Sequence, residues 1–325
     1  MQKSMRSVVA ALLLGTATVA SAADTSYPNK PITLVVAFSP GGVVDSIARI
    51  VGERLASKYG QPVVVENRSG AGGAIGTAQV ASSAADGYTL LTVSTYFAVL
   101  PSVMKNVTWS PTKDFTAIAN VGMIPNVIVV NPKNPVNSFQ ELLDKAKSGA
   151  PLTYSSPGVG TSNHLTGELL SQLTKTDMVH VPYKGQSDAL SDLLAGRVDM
   201  MALTSALAGQ YVKSGKLKAL AVATNVRSSA LPSVPTVEEA SDIKDFDVRS
   251  WFGFVAPAQT PSPVVEQLAK DIEQILTEKD VMEKLAGLGL QKDYMGPKAY
   301  QSYISEEQAR WKKVVDDRGI SQKNQ

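Results

Sequence analysis

Residues 32–38 read ITLVVAF, an unbroken apolar run that predicts a strand covered on both faces. Ser39-Pro40-Gly41-Gly42 ends it, and Ile47, Ile50, Val51 and Leu55 recur at helical spacing, predicting a helix over about 43–58. Strands at 62–66 and 88–93 follow, and a glycine-rich loop at 70–76 feeds a helix to about Ala81. A second series starts at Val127–Val130. Ser138 and Glu141 form a capping-box pattern that opens a helix to about Lys147. Short strands are predicted at 152–154, 178–181, 198–202 and 217–223, with helices between. One helix runs from about Thr161 to Leu173, and another starts near Ser187 and stops at Gly196. After Thr224, Pro232, Pro235, Pro257, Pro261 and Pro263 punctuate a looped stretch, and three helices close the chain.

Strands alternating with helices make this an α/β chain. The fresh start near Asn126 and the change of pattern near Thr224 suggest two lobes. Lobe 1 takes 23–126 and 224–325, and lobe 2 takes 127–223. Two crossings favour a hinge with a cleft between the lobes. One continuous large sheet fits the pattern as an alternative.

Both lobes contain the same local arrangement. A buried strand ends in Ser39-Pro40-Gly41-Gly42 and a helix follows; later a strand leads into Ser155-Ser156-Pro157-Gly158-Val159-Gly160-Thr161 and another helix. Glycine lets backbone N–H groups face a ligand, and a helix N-terminus has free donors and partial positive charge. Each loop is therefore a candidate anion seat at the carboxyl end of a strand. Facing each other across a cleft, the two are expected to hold one carboxylate. Asp45, in the first turn of the first helix, either caps N–H groups, orients the glycine loop, or receives a ligand's amino or hydroxyl group. Gly185 and Gln186 open another helix and are placed to face the cleft.

Other chemistries find less support. Gly70 to Gly76 has Ile75 where a dinucleotide fingerprint needs glycine, and close helix–sheet packing accounts better for the loop. No G-x-S-x-G elbow is present. His164 and His180 read as structural or pocket-lining rather than as general bases. With no Cys and two His, thiolate catalysis, disulfides and a metal-centred enzyme are not expected, and no cofactor is.

Charge and the first residues set the compartment. Of 325 residues, 31 are Lys or Arg and 29 Asp or Glu. Lys3 and Arg6 precede a short apolar stretch, Ser7 to Ala20, and Ala20-Ser21-Ala22 is a small-x-small cleavage site. Residues 1–22 therefore read as a cleavable signal peptide, and the remainder carries 29 charges of each sign. A neutral body argues against a nucleic-acid partner. Export without cysteine fits a bacterial periplasm.

An ordered set of motifs spans the chain after the leader. It includes Phe38-Ser39-Pro40-Gly41-Gly42 with Asp45 and Arg49, Val65-Glu66-Asn67-Arg68, Ala85-Asp86-Gly87-Tyr88 and Gly158 to Leu165. It continues with His180-Val181-Pro182-Tyr183-Lys184-Gly185, Asp192 to Gly196, Leu231 to Thr236 and Trp251-Phe252-Gly253. The sequence resembles the substrate-binding proteins of tripartite tricarboxylate transporters, the Bug family. The resemblance implies a two-lobed periplasmic binding protein of type II-like fold, each lobe a mixed sheet flanked by helices. It implies a monomer that closes on a small carboxylate and delivers it to a two-component membrane permease, without catalysis. It places a ligand carboxylate on backbone amides of Ser39 to Gly42 and Ser155 to Thr161, with His164 in the same stretch. Where family members often have small or polar residues after the third strand, this chain has Tyr96 and Phe97; with Phe38 they point to an aromatic acid or else pack in the core. A sensory adaptor binding the same kind of ligand is the alternative function.

Overall fold

A computed structural model of the chain describes residues 27–149, 151–183 and 185–320. The leader, residues 1–22, lies outside them. The first series of elements is β1 (Ile32–Val36), α1 (Val43–Tyr59), β2 (Val63–Asn67), α2 (Ala74–Ala81), β3 (Thr89–Ser94) and α3 (Tyr96–Val103). Then β4 (Phe115–Val130) leads to α4 (Phe139–Lys147), β5 (Leu152–Ser156), α5 (Ser162–Thr174), β6 (Met178–Pro182) and α6 (Gln186–Leu194). The chain continues through β7 (Met200–Thr204), α7 (Ser205–Lys213), β8 (Lys218–Val222) and α8 (Val237–Ala240). It ends with β9 (Arg249–Pro257), α9 (Ser262–Ile275), α10 (Lys279–Gly287) and α11 (Pro297–Arg318).

The strands run in the order β2-β1-β3-β9-β4-β7-β5-β6, with β8 also paired to β4. In the first half, β1 is parallel to β2 and β3, whereas β9 is antiparallel to both β3 and β4. In the second, β5 is parallel to β6 and β7, and β4 is antiparallel to β7 and β8. Both halves are thus mixed sheets, and β4 belongs to both. It pairs with β9 from Phe115 to Pro125 and with β7 from Asn126 onward.

Apolar burial follows the strand and helix periods. Ile32, Leu34, Val35 and Val36 of β1 are fully buried, as are Ile47, Val51 and Leu55 of α1. Helices α1, α9 and α10 share one core on one face of the first sheet. Val127 and Val129 face α6 and α7 in another. The remaining cluster joins the two halves, running from Val35 and Phe97 through Trp251 to Tyr154 and Leu165. Gly196, at φ +71, ends α6 as its sequence position predicts. Gly76 answers for the glycine-rich loop: a Cβ there would lie 2.6 Å from the Arg68 carbonyl oxygen and 3.0 Å from the Ala37 Cα. Helix α2 therefore presses directly on the backbone beneath it.

Several elements depart from the sequence expectation. Helix α3 stands where a loop was expected. Strand β9 lies inside the proline-punctuated stretch, and β4 begins twelve residues before Val127. Ser155 and Ser156 belong to β5 rather than to the loop after it. The segment 224–248, assigned to lobe 1, hydrogen-bonds to the second half instead. Val222 N–H donates to the Pro235 carbonyl, and α8 packs on α4 and β8. The chain rejoins the first sheet at Arg249. Ala223 N–H donates to the Asn126 carbonyl and Arg249 pairs with Pro125, so both passages between the halves lie side by side.

Candidate functional site

The first glycine loop leaves β1 and enters α1. Gly41 has φ +89, and a Cβ there would meet nothing within 4 Å, so its glycine serves the backbone angle rather than a tight contact. Gly42 is the N-cap of α1 and contributes no side chain. Ser39, Gly41 and Gly42 are exposed. Beneath them, Asp45 is 3% exposed and reaches back to accept the Gly41 N–H at 2.9 Å. Arg49, one turn further on, donates to both carboxylate oxygens of Asp45 at 3.0 and 2.9 Å. Asn67, at the end of β2, donates to Asp45 at 2.9 Å and to the Phe38 carbonyl at 3.0 Å. Burial pushes the Asp45 carboxyl up, but the bonds from Arg49, Gly41 and Asn67 outweigh it and hold it at about 2. With four donors on its two oxygens, Asp45 orients the loop; it is not left open to a ligand.

The second loop leaves β5 and enters α5, whose N-cap is Thr161. Gly158 and Gly160 have φ +148 and +83. Gly160 N–H donates to Nδ1 of His164 at 3.2 Å, and Gly158 N–H donates to Ser156 Oγ at 3.2 Å. Thr161 Oγ1 donates to the Gly158 carbonyl at 2.8 Å. His164 is 2% exposed, with its Nε2 3.5 Å from Glu168 Oε1. Glu168 also accepts from Tyr154 at 2.6 Å and from Arg318 of α11 at 3.0 Å. Burial raises its pKa, but these bonds outweigh that and keep it below its ordinary value. His180 of β6 stacks on His164, with ring centroids 4.0 Å apart, and its Nε2 lies 2.7 Å from Ser156 Oγ. Burial pushes the pKa of His180 well below its ordinary value.

The two half-sites share one spacing. Gly41, Asp45 and Arg49 are four apart, and so are Gly160, His164 and Glu168. In each, a glycine N–H is taken by a side chain one turn into the helix, and that side chain is held by a charged partner a turn later. The neighbouring strand adds a polar residue: Asn67 of β2 in the first, His180 of β6 in the second. The remaining first-turn N–H groups of α1 and α5 are the donors left for an anion.

Helix α3 links the loops. Tyr96 at its start meets the Phe38 ring edge-on at 4.8 Å and hydrogen-bonds Thr77 at 3.1 Å. Further along, Val99 and Val103 border Gly160; a Cβ added to that glycine would lie 3.7 and 3.5 Å from them. Ser162 of α5 also contacts Ser250 of β9 at 2.6 Å. Gly185 is the N-cap of α6 with open space beside it, and Gln186 is half-buried at the first turn. Gly158 borders this turn, 3.6 Å from the Tyr183 carbonyl when given a Cβ.

Two sequence-predicted site residues are placed elsewhere. Phe97 is fully buried, stacked on Trp109 at 5.4 Å and edge-on to Phe115 at 5.0 Å, in the core behind α3. The Ser155 side chain points to the far face of β5 and donates to the Ala189 carbonyl at 3.2 Å. Ser156, not Ser155, faces the loop. Arg49, Asn67, Tyr154, Glu168 and Arg318 carry no sequence expectation as ligand-site residues, and His180 only that of a structural or pocket-lining ring. The repeated spacing of four was the available signal for Arg49 and Glu168; the others come from separate strands and helices.

A mixed-sheet α/β protein with matched glycine loops at strand ends has the architecture of periplasmic binding proteins. The structure of periplasmic binding protein BugD aligns with a TM-score of 0.76 at 35% identity, covering 91% of this chain and 100% of that one. That of Rpa4515 of R. palustris, solved with adipate, aligns with a TM-score of 0.79 at 32% identity over 90% and 98%. Protein BugT of Bordetella pertussis is 36% identical across 97% of this chain and 98% of its own. Residues 47–320 match the tripartite tricarboxylate transporter family receptor, and the chain belongs to that family.

Proposed function

We infer that the chain is a periplasmic solute-binding protein, exported by its signal peptide, that captures a small di- or tricarboxylate between its two halves. It acts as a monomer, performs no chemistry on the acid and hands it to a two-component membrane permease. The observation that carries this reading is the matched pair of glycine loops, each a helix N-terminus held by the same glycine, acceptor and counter-charge spacing. Such a pair suits one anionic ligand gripped from both sides. Adipate in the Rpa4515 structure supports a dicarboxylate. With Phe97 packed in the core, the aromatic-acid version rests on Phe38 and Tyr96 alone. The adjacent passages at Pro125–Asn126 and Ala223–Arg249 are where the halves would pivot. A ligand that touches both halves favours the closed state through its higher affinity for it.

A thermal-shift screen of carboxylic acids on the mature protein tests the reading. A true ligand at 100 times its dissociation constant adds about 2.7 kcal/mol. The acid is expected back unchanged after incubation. Stabilisation by sugars or cations alone, or turnover of the acid, overturns it.

A further inference from the structure

The sequence holds two histidines, and the fold brings both beneath one loop. Helix α5 supplies His164, β6 supplies His180, and β5 supplies Tyr154, whose ring stacks on His180 at 5.0 Å. In the acid-binding reading His164 serves as the acceptor of the Gly160 N–H; the proton its ring carries is a separate matter. The first half-site supplies the comparison. There a carboxylate oxygen of Asp45 takes the N–H of Gly41 and thereby fixes the loop's shape. In the second half-site a ring nitrogen occupies the corresponding position. A nitrogen accepts a hydrogen bond only when it carries no proton.

We propose that His164 is a positioning residue for the second anion seat, holding the Gly160 N–H through an unprotonated ring nitrogen, with the His180 ring stacked against it. His164 Nδ1 accepts from Gly160 directly. Beside it, Ser156 Oγ accepts the Gly158 N–H, donates to the Gly158 carbonyl at 3.1 Å and lies 2.7 Å from His180 Nε2. The tautomer of His164 is fixed from the other side: its Nε2–H faces Glu168, whose second oxygen is held by Arg318. Helix α11, which packs on α3 and β4, thus braces the loop through Arg318, Glu168 and His164. The charged or titratable groups facing His164 are Glu168 from its own helix, Tyr154 from β5, His180 from β6 and, through Glu168, Arg318 from α11. Helix α3 presents Val99 and Val103 to the loop. The two half-sites solve one geometric problem with opposite chemistry: an anionic acceptor braced by a cation in one, a neutral acceptor braced by an anion in the other.

The consequence for affinity rests on the acid-binding reading; the geometry does not, and the experiment separates them. Long-range 15N–1H spectra of the ligand-free protein at pH 7.0 are expected to show His164 with Nδ1 bare and Nε2 protonated, and a scalar coupling from Gly160 N to Nδ1 across the hydrogen bond. A protonated Nδ1 overturns the proposal whether or not any acid binds. Adipate titrations then compare His164→Asn, whose Oδ1 stands at the δ position and accepts, with His164→Leu, which cannot. Leucine is expected to weaken adipate binding by about tenfold and asparagine to restore most of it, the scale of one hydrogen bond. Equal affinities in all three proteins, or equal losses in both folded variants, overturn the proposal. Absence of adipate binding by the unaltered protein counts against adipate as its ligand and leaves the tautomer measurement to decide the positioning role.

Discussion

Asp45→Asn isolates the charge that organises the first half-site. The side chain keeps its shape and one oxygen acceptor, but the ion pair to Arg49 is lost. Asp45 sits at about 2 against an ordinary 3.8, and a tenfold change in proton affinity between folded and unfolded chains corresponds to about 1.4 kcal/mol. The whole displacement therefore corresponds to about 2 kcal/mol. Arg49 is half in water, its side chain 52% exposed, so screening reduces the expected contribution to about 1–2 kcal/mol. The sign follows from a folded-state pKa below the unfolded one. The stabilisation is complete above about pH 4 and disappears as pH falls through about 2. Urea denaturation followed by tryptophan fluorescence measures both proteins from pH 7 downward. Their stability difference is expected to be about 1–2 kcal/mol near neutrality and to shrink steadily below about pH 4. Contributions from other carboxylates such as Glu168 are common to both proteins and cancel. A difference that stays constant down to about pH 2.5, or no difference at about pH 7, refutes the assignment of charge to this network.

Two further substitutions test the packing around the loops. A Cβ on Gly167 would lie 2.6 Å from Cδ2 of Tyr154, so Gly167→Ala is expected to displace that ring, unstack His180 and cost about 1–3 kcal/mol in thermal unfolding; full stability would mean the stack has room to spare. Phe97→Ala removes a fully buried ring from the Trp109–Phe115 cluster and is expected to cost about 3–5 kcal/mol while the folded fraction keeps its acid affinity; calorimetry that finds weak binding in a stable protein would return Phe97 to the ligand site.

Much of this architecture was legible along the chain because it depends on local periodicity. The apolar run of β1 and the stripe of α1 need nothing beyond their own spacing to be read. Gly41 and Gly160 announce themselves because left-handed backbone favours glycine. Strand β9 was hidden because it carries Gly253 and ends at Pro257, residues that ordinarily weaken a strand. That glycine is demanded from elsewhere: a Cβ there would lie 2.5 Å from the Ala119 carbonyl oxygen on β4. Helix α3 was hidden because every residue from Tyr96 to Leu100 is apolar and buried on several sides, which leaves no amphipathic period to read.

The residues themselves determined where strands turn into helices and that two such turns carry glycine loops fit for an anion. Tertiary structure decided what those loops are tied to. Asn67 and His180 arrive from neighbouring strands, Arg318 from the last helix, and Phe97 turns into the core although Tyr96 beside it reaches Phe38. The reason is that hydrogen-bonding capacity and helical period are properties of a residue and its near neighbours in sequence. The partner that satisfies a buried donor or covers a ring is set by which distant segments the packed sheet brings within about 3–5 Å.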